Sequence, residues 1–112
     1  FIMNVFYKNK VLLKDISLAN NFWSKLSGYM FRKAPHVSGI LFFTSGSMQT
    51  TFMRFSLDII FLNSEDRIVK VLRGVRPWRF TKSYKGTKTV LEVPVGVIPA
   101  SLTEGEKISF LE

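Results

Sequence analysis

The stretch that decides the fold is LDIIFLNSEDRIVKVLRGV, residues 57–75. Two runs rich in β-branched and other apolar residues, 57–62 and 68–75, flank the polar turn at 63–66. Two such runs joined by a short polar turn predict strands that pair with each other. The stretch therefore predicts a β-hairpin. The remaining strands are predicted from the apolar runs on either side of it.

Shorter apolar runs continue on both sides of the hairpin, separated by Gly, Pro, Asn and Ser residues. Pro77 argues against a central strand directly after the hairpin, so residues 76–86 are expected to form an edge or a long loop. About seven or eight short, closely spaced strands predict a mainly β fold, either a sandwich or a closed barrel. The further strands are expected at residues 1–7, 11–13, 39–43, 48–53, 88–93 and 107–111.

One short helix is expected, at about residues 18–27. Leu18, Phe22 and Leu26 recur there every four residues, which is the spacing of one helix face. Ser17 can cap the start of this helix, and a glycine at position 28 can end it. We expect its apolar stripe to contact the core.

Composition limits the domain count and excludes several kinds of site. A chain of 112 residues with 46% hydrophobic residues can build one core, and is too short for two. There is no cysteine, which excludes disulfides, thiolate metal sites and cysteine nucleophiles. The single histidine, His36, leaves too few nitrogen ligands for zinc and disfavours Ser/His catalysis. We therefore expect no metal and no cofactor.

No apolar run approaches the roughly 20 residues of a membrane-spanning helix, so no transmembrane segment is expected. The apolar residues 1–6 are too short for a signal peptide. The chain begins with Phe1 rather than Met, so the sequence leaves open whether an upstream segment has been trimmed from the protein. Cytoplasm is the default compartment, export is not excluded, and the sequence leaves the oligomeric state unknown.

Four segments, in the same order along the chain, carry a family pattern: LSGYMFR at 26–32, GILF at 39–42, TTFMRFSLDIIFL at 50–62 and VLEVPVG at 90–96. Together they resemble the DUF192 family of uncharacterised proteins, and RPWR at 76–79 looks like an element of one of its branches. The resemblance implies an all-β fold of jelly-roll or sandwich type, as a single domain over residues 1–112. It implies no activity, because the family has none assigned.

The chain departs from the family pattern at two places. Gln49-Thr50 stands where related chains commonly carry His-Thr, and Ser56 stands where they commonly carry Pro. If that histidine were catalytic in relatives, this chain would lack the step.

Half of the basic residues fall between positions 67 and 88, which we call the basic segment. It contains no acidic residue, and the other eight Lys and Arg residues balance all eight Asp and Glu residues. The segment therefore carries the entire net charge of +8. Cations that recur every three residues would lie on both faces of a strand, but on one side of an extended loop. Its basic residues are Arg67, Lys70, Arg73, Arg76, Arg79, Lys82, Lys85 and Lys88.

The basic segment has two interpretations. Trp78, Phe80 and Tyr84 lie between the cations and can offer stacking surfaces, as in proteins that bind single-stranded nucleic acid. The partner would then be an anionic ligand, a nucleic acid or an acidic protein surface. Alternatively, the segment is a solvated edge and loop whose charges prevent aggregation. Steep weakening of binding by salt would distinguish a polyanion contact from this alternative.

Two carboxylates, Asp58 and Glu92, lie within apolar runs, where an ionised group is costly unless it is paired or hydrogen-bonded. The structural interpretation is an ion pair with a nearby arginine at position 54, 73, 76 or 79. The functional interpretation makes them the acid and base of a hydrolase acting on a carbohydrate or another polar substrate. The sequence gives no distance between them.

The leading hypothesis is a non-catalytic binding or accessory domain with a polar groove beside the basic segment. Arginines would hold an anionic group, Trp78 would pack against the body of the ligand, and the two carboxylates would orient the guanidinium groups. The hydrolase and a subunit of a larger protein assembly are the alternatives. The candidate ligand-binding residues are Gln49, Thr50, Met53, Arg54, Asp58, Arg76, Trp78, Arg79 and Glu92.

Overall fold

The computed structural model describes residues 2–19 and 28–112 of the chain. Within these residues the secondary structure consists of strands joined by turns and loops. The strands are β1 (Ile2–Tyr7), β2 (Lys10–Ala19), β3 (Ile40–Phe42), β4 (Leu57–Leu62), β5 (Ile68–Val75), β6 (Thr89–Pro94) and β7 (Ser109–Leu111). No helix in this part of the chain is long and apolar enough to cross a membrane.

All seven strands belong to one sheet, in the order β5-β4-β6-β3-β2-β1-β7. Neighbouring strands are antiparallel except β2 and β3, which run parallel. The sheet curls so that its two edges meet at one end, where Ile68 N donates to Glu106 O at 2.9 Å and Gly105 N donates to Ile68 O at 2.8 Å. The sheet is therefore a half-barrel. Some of the backbone N–H and C=O groups at one edge are hydrogen-bonded to the chain near the other edge.

The mainly β prediction is confirmed, and so is the hairpin of β4 and β5, which pair antiparallel across the 63–66 turn. The strands form a single curled sheet, and the jelly-roll and two-sheet sandwich descriptions are not confirmed. The predicted strand at 48–53 is wrong: this stretch holds one isolated bridge, between Gln49 and Phe80, and then a turn. Phe52 takes a left-handed backbone there, with φ of 63°, which breaks the extended conformation.

The predicted helix at 18–27 is wrong at its start. Leu18 and Ala19 belong to β2, where they pair in parallel with Leu41 and Phe42. Pairing in the β-sheet therefore overrides the four-residue apolar spacing at these two positions. Ser17 is a strand residue as well, and it does not cap a helix. The remainder of the prediction, residues 20–27, lies outside the described residues.

Apolar side chains cover both faces of the central strands. On the concave face, residues from strands as far apart as β1 and β5 meet in one cluster, which we call the inner core; its central members are Val5, Ile16, Ile60, Leu91 and Val93. On the convex face, a second cluster, the outer core, includes Tyr29, Phe42, Met53, Ile59 and Phe61. The outer core lies under the loops at 28–39, 43–56 and 76–88, which also carry most of the candidate site residues.

Gly39 lies where the chain enters β3, at a point with no room for a side chain. A Cβ atom there would lie 3.1 Å from Val93 Cγ1 and 3.2 Å from Ile16 Cγ2. We expect Gly39→Ala to lower the free energy of unfolding by about 1–3 kcal/mol through overpacking, measured by urea denaturation. Gly46→Ala is the matched control, because its Cβ would meet only Thr44 Oγ1 at 3.7 Å. Equal stability of the two variants would contradict this packing.

Candidate functional site

Asp58 and Glu92 lie on opposite faces of the sheet. β4 and β6 pair antiparallel, with Asp58 opposite Val93 and Ile59 opposite Glu92. Opposed residues of an antiparallel pair share a face, so Asp58 faces the side of the inner core and Glu92 faces the side of the outer core. The predicted acid/base pair is wrong, because the sheet separates the two carboxyl groups from any common substrate.

Asp58 has a structural role. It is 2% exposed, and its Oδ1 accepts a hydrogen bond of 2.8 Å from the backbone N–H of Gly74. Gly74 has a φ of 64° and lies where the β4–β5 register shifts between Leu57 and Ile59. A glycine in this left-handed conformation is typical of a β-bulge. The carboxylate therefore holds a bulge in β5, and the expected pairing of Asp58 with an arginine is not seen in the described residues.

The first three cations of the basic segment are used within the fold. Arg73 donates to the carbonyl oxygens of Ile98, Pro99 and Leu102 at 3.0–3.1 Å. Lys70 Nζ lies 3.7 Å from Glu104 Oε1, and Arg67 Nη1 donates to Gly105 O at 3.3 Å. These contacts tie β5 to the 98–105 segment. The exposed remainder of the segment consists of Arg76, Arg79, Lys82, Lys85 and Lys88.

Thr50 is buried and organises the 76–79 loop. Its Oγ1 donates to Arg76 O at 2.7 Å and accepts from Arg79 N at 2.9 Å. Its backbone also takes part, because Thr50 N donates to Arg79 O at 2.9 Å and Trp78 N donates to Thr50 O at 3.0 Å. Thr50 was predicted to contact a ligand, but its polar groups are occupied by this loop.

The segment 49–54 separates two parts of the predicted groove. Gln49, Thr51 and Met53 line a cavity of about 160 Å³ on the outer face of the sheet. Phe52 and Arg54 are exposed, and the Phe52 ring contacts Trp78 of the 76–79 loop. The described lining of the cavity is completed by Gly28, Tyr29, Met30, Phe42, Thr44, Ser47, Met48 and Glu92. The predicted groove is therefore divided between this cavity and an exposed surface.

Glu92 is the carboxyl group of the cavity and is 3% exposed. Burial raises its pKa from 4.5 to about 8, because the ionised form loses its hydration. Tyr29 shares the cavity and donates from its hydroxyl to Val37 O at 3.0 Å. Burial, and then the charge of Glu92, raise the pKa of Tyr29. Among the described residues, no group of three His, Cys, Asp or Glu side chains could hold a metal ion.

Three exposed aromatic residues form a second feature, which we call the aromatic row: Phe31, Phe52 and Trp78. The ring centroids of Phe31 and Phe52 are 5.0 Å apart, and those of Phe52 and Trp78 are 4.6 Å apart. The three side chains are 67%, 45% and 56% exposed, respectively. Each residue has a left-handed backbone, with φ of 62°, 63° and 62°. Bulky side chains rarely adopt this conformation, and each instance costs about 1–3 kcal/mol.

An exposed arginine follows each member of the aromatic row within two residues. Arg32 follows Phe31, Arg54 follows Phe52, and Arg79 follows Trp78. The sequence prediction named Trp78, Arg54 and Arg79, but missed both phenylalanines. The recurrence of an aromatic residue just before an arginine was the available signal, while the left-handed backbone that unites the three rings has no sequence signature outside glycine and asparagine.

A mainly β curled sheet with a cavity and an aromatic surface on its convex side defines the class of this protein. Residues 5–110 match the family model DUF192, described as "Uncharacterized ACR". The chain therefore belongs to the DUF192 family, which confirms the resemblance seen in the sequence.

Relatives and solved structures agree with this assignment. The chain is 33% identical to a UPF0127 protein of Pyrococcus furiosus over 92% of both chains, and 35% identical to one of Pyrococcus abyssi over 86% of both. A protein of unknown function from Novosphingobium aromaticivorans has a TM-score of 0.79 at 21% identity, covering 96% of this chain and 83% of that one. A proposed transcription regulator from Sinorhizobium meliloti gives 0.77 at 18% identity, covering 96% and 91%. The two structures are similar to this chain in fold.

Thr50→Val tests the role of Thr50 in the loop, because valine keeps the shape but removes the hydroxyl. Arg76 O and Arg79 N would each lose a partner, so we expect the free energy of unfolding to fall by about 1–3 kcal/mol. Thr51→Val is the matched control, since no hydrogen bond of the Thr51 hydroxyl is found within the described residues. Urea denaturation of both variants measures the difference. Unchanged stability of Thr50→Val would contradict the assigned role.

Glu92 makes stability depend on pH in an unusual direction. In the unfolded chain its carboxyl group loses a proton near pH 4.5, whereas in the folded chain it does so near pH 8. Between these values the folded state binds more protons, so stability falls as pH rises from 4.5 to 8, by up to about 1.4 kcal/mol per pH unit, and then levels off.

We expect Glu92→Gln to remove this slope and to be more stable than wild type near pH 8, with little difference near pH 4. Urea denaturation across this range is the measurement. Glu104→Gln is the control, because its side chain is 58% exposed and its contact with Lys70 is worth at most about 1 kcal/mol. The assignment fails if wild type and Glu92→Gln have parallel pH profiles.

Proposed function

We propose that this chain is a non-catalytic binding domain that holds a single-stranded nucleic acid against the aromatic row. Bases would stack on the exposed ring faces, and the arginines beside the rings would contact the phosphates. The observation that carries the proposal is the row itself, three exposed aromatic side chains in mutual contact on left-handed backbone.

The distribution of charge supports a polyanionic partner. There is no Asp or Glu at positions 16–57, or from 67 to 91, and these stretches include the loops that cover the outer core. Glu92 faces the same side, but its raised pKa of about 8 keeps it mostly neutral at pH 7. The loops that cover the outer core therefore carry exposed cations and no acidic residue. Such a surface attracts a polyanion over a distance of about one Debye length.

The backbone strain supports a role for the rings beyond packing. Each ring is about half exposed or more, so it contributes less to the core than a buried ring would. Glycine would adopt the same φ without strain. Strained conformations of this kind cluster at binding sites, where the surrounding structure holds them in place.

Single-stranded nucleic acid fits this surface better than the two alternatives. The hydrolase loses its basis because Asp58 and Glu92 are on opposite faces. An acidic protein surface would satisfy the arginines but offers no matching partner for three rings, whereas every base has a face on which to stack. A subunit of a larger assembly would hide the same rings in a protein interface, and light scattering would detect self-association.

The test is binding of labelled oligo(dT) and oligo(U), measured by fluorescence anisotropy. Phe31→Gly, Phe52→Gly and Trp78→Gly remove each ring and the local strain together, so we expect stability to change by no more than about 1 kcal/mol. Loss of one stacked base should weaken binding by about 1–3 kcal/mol, roughly 5- to 150-fold. Phe43→Ala is the matched control, because Phe43 is 42% exposed and lies outside the row.

Salt dependence separates the role of the arginines from that of the rings. Replacing Arg54 or Arg79 with Gln should reduce the slope of log K against log salt by about 0.7 for each lost phosphate contact, while ring variants leave the slope unchanged. Polyphosphate has no bases and should compete weakly. Equal competition by polyphosphate, or wild-type affinity of the three ring variants, would sink the proposal.

A further inference from the structure

We infer that the cavity over Glu92 is a second binding site, separate from the aromatic row, and that it takes a small organic ammonium ion. The cation would lie against the carboxylate, and its alkyl groups would contact the aromatic and thioether side chains of the lining. Nothing in this inference depends on nucleic-acid binding.

The cavity and the aromatic row are on opposite sides of the segment 49–54. Gln49, Thr51 and Met53 line the cavity, whereas Phe52 belongs to the row and Arg54 is exposed. A volume of about 160 Å³ corresponds to about five water molecules, at about 30 Å³ each in the liquid. This is room for the smallest quaternary ammonium ions.

The charge balance of the lining favours a monovalent cation. Glu92 and Tyr29 are the titratable groups among the described lining residues, and none of these residues is a Lys, Arg or His. The neighbours of Glu92 across the sheet, Ile40 on β3 and Ile59 on β4, are apolar. One ligand cation would balance one buried carboxylate, whereas an anionic ligand would meet no positive side chain in this lining.

The walls of the cavity suit an alkylated cation. Tyr29 and Phe42 supply aromatic rings, which attract cations through their electron-rich faces. Three of the four methionines of the chain, Met30, Met48 and Met53, line the same cavity. Their thioethers are flexible and polarizable, and adapt to the shape of a small ligand. The net charge of +8 opposes entry only weakly, because salt screens exposed charges beyond about 8 Å at physiological ionic strength.

Tetramethylammonium is the probe, because it keeps its charge at every pH. The readout is the NMR spectrum of protein labelled with 13C at the methionine methyl groups. The cavity predicts shifts for Met30, Met48 and Met53, while Met3, which packs against the inner core, is an internal control. tert-Butanol, a neutral molecule of similar size and shape, should leave all four signals unshifted at the same concentrations.

The pH dependence provides a second readout. The cation requires ionised Glu92, so apparent affinity should rise about tenfold per pH unit up to about pH 8 and then level off. Glu92→Gln should lose tetramethylammonium binding at every pH while keeping the folded methionine spectrum. Trp78→Gly should bind tetramethylammonium like wild type, which separates this site from the aromatic row.

Four results would overturn the inference. Two concern the probe: equal shifts from tert-butanol and tetramethylammonium, and no shift with tetramethylammonium above pH 8. The other two are binding that survives Glu92→Gln and a Met3 shift as large as those of the cavity methionines.

Discussion

Strand β6 is hydrogen-bonded on both sides, to β4 and to β3, and this pairing decides which face each of its side chains occupies. Side chains alternate along a strand, so Leu91 and Val93 must enter the inner core if Glu92 faces outward. A shift of one residue would bury the carboxylate in the inner core and turn both aliphatic side chains toward the outer core. The position of Glu92 under the outer loops is therefore a consequence of the register that builds the core.

The same register separates the two carboxylates that the sequence makes look equivalent. Asp58 accepts a hydrogen bond of 2.8 Å from the backbone N–H of Gly74. Glu92 gains no comparable partner from the described residues, and burial dominates its pKa. Two acidic residues in similar apolar runs thus have different roles, because one completes a bulge and the other lines a cavity.

Local patterns in the sequence predict the strands well and the loops poorly. The bounds 57–62 and 68–75 match β4 and β5, because both apolar runs and the turn between them are contiguous. The end of β2 was mistaken for a helix because its parallel partner, β3, is distant in the sequence. The eight regularly spaced cations were treated as one surface, but β5 ends at Val75, and the cations before and after this point have different roles. Regular spacing cannot reveal where a strand ends and a loop begins.

The candidate site, too, was predicted only where local patterns in the sequence mark its residues. Glu92, Gln49 and Met53 were identified because polar or soft side chains stand out in apolar runs, and they do share one cavity. Their separation from Arg54 and Trp78 depends on the conformation of the 49–54 segment, which long-range hydrogen bonds of Thr50 determine. Five such bonds link Thr50 to the 76–79 loop, and the Phe31 amide donates to Phe52 O at 3.0 Å.

These hydrogen bonds also explain how three strained residues persist next to one another. Left-handed backbone at Phe31, Phe52 and Trp78 costs several kcal/mol in total, on the order of the net stability of a small domain. Each backbone hydrogen bond contributes only about 1 kcal/mol net, so the bonds to Thr50 and Phe52 offset much of the strain but leave little surplus. A fold selected for stability alone would have glycine at these positions, because glycine has the required φ and leaves the hydrogen bonds intact. The three exposed rings therefore need an explanation outside the folding of the chain, and contact with a partner molecule provides one.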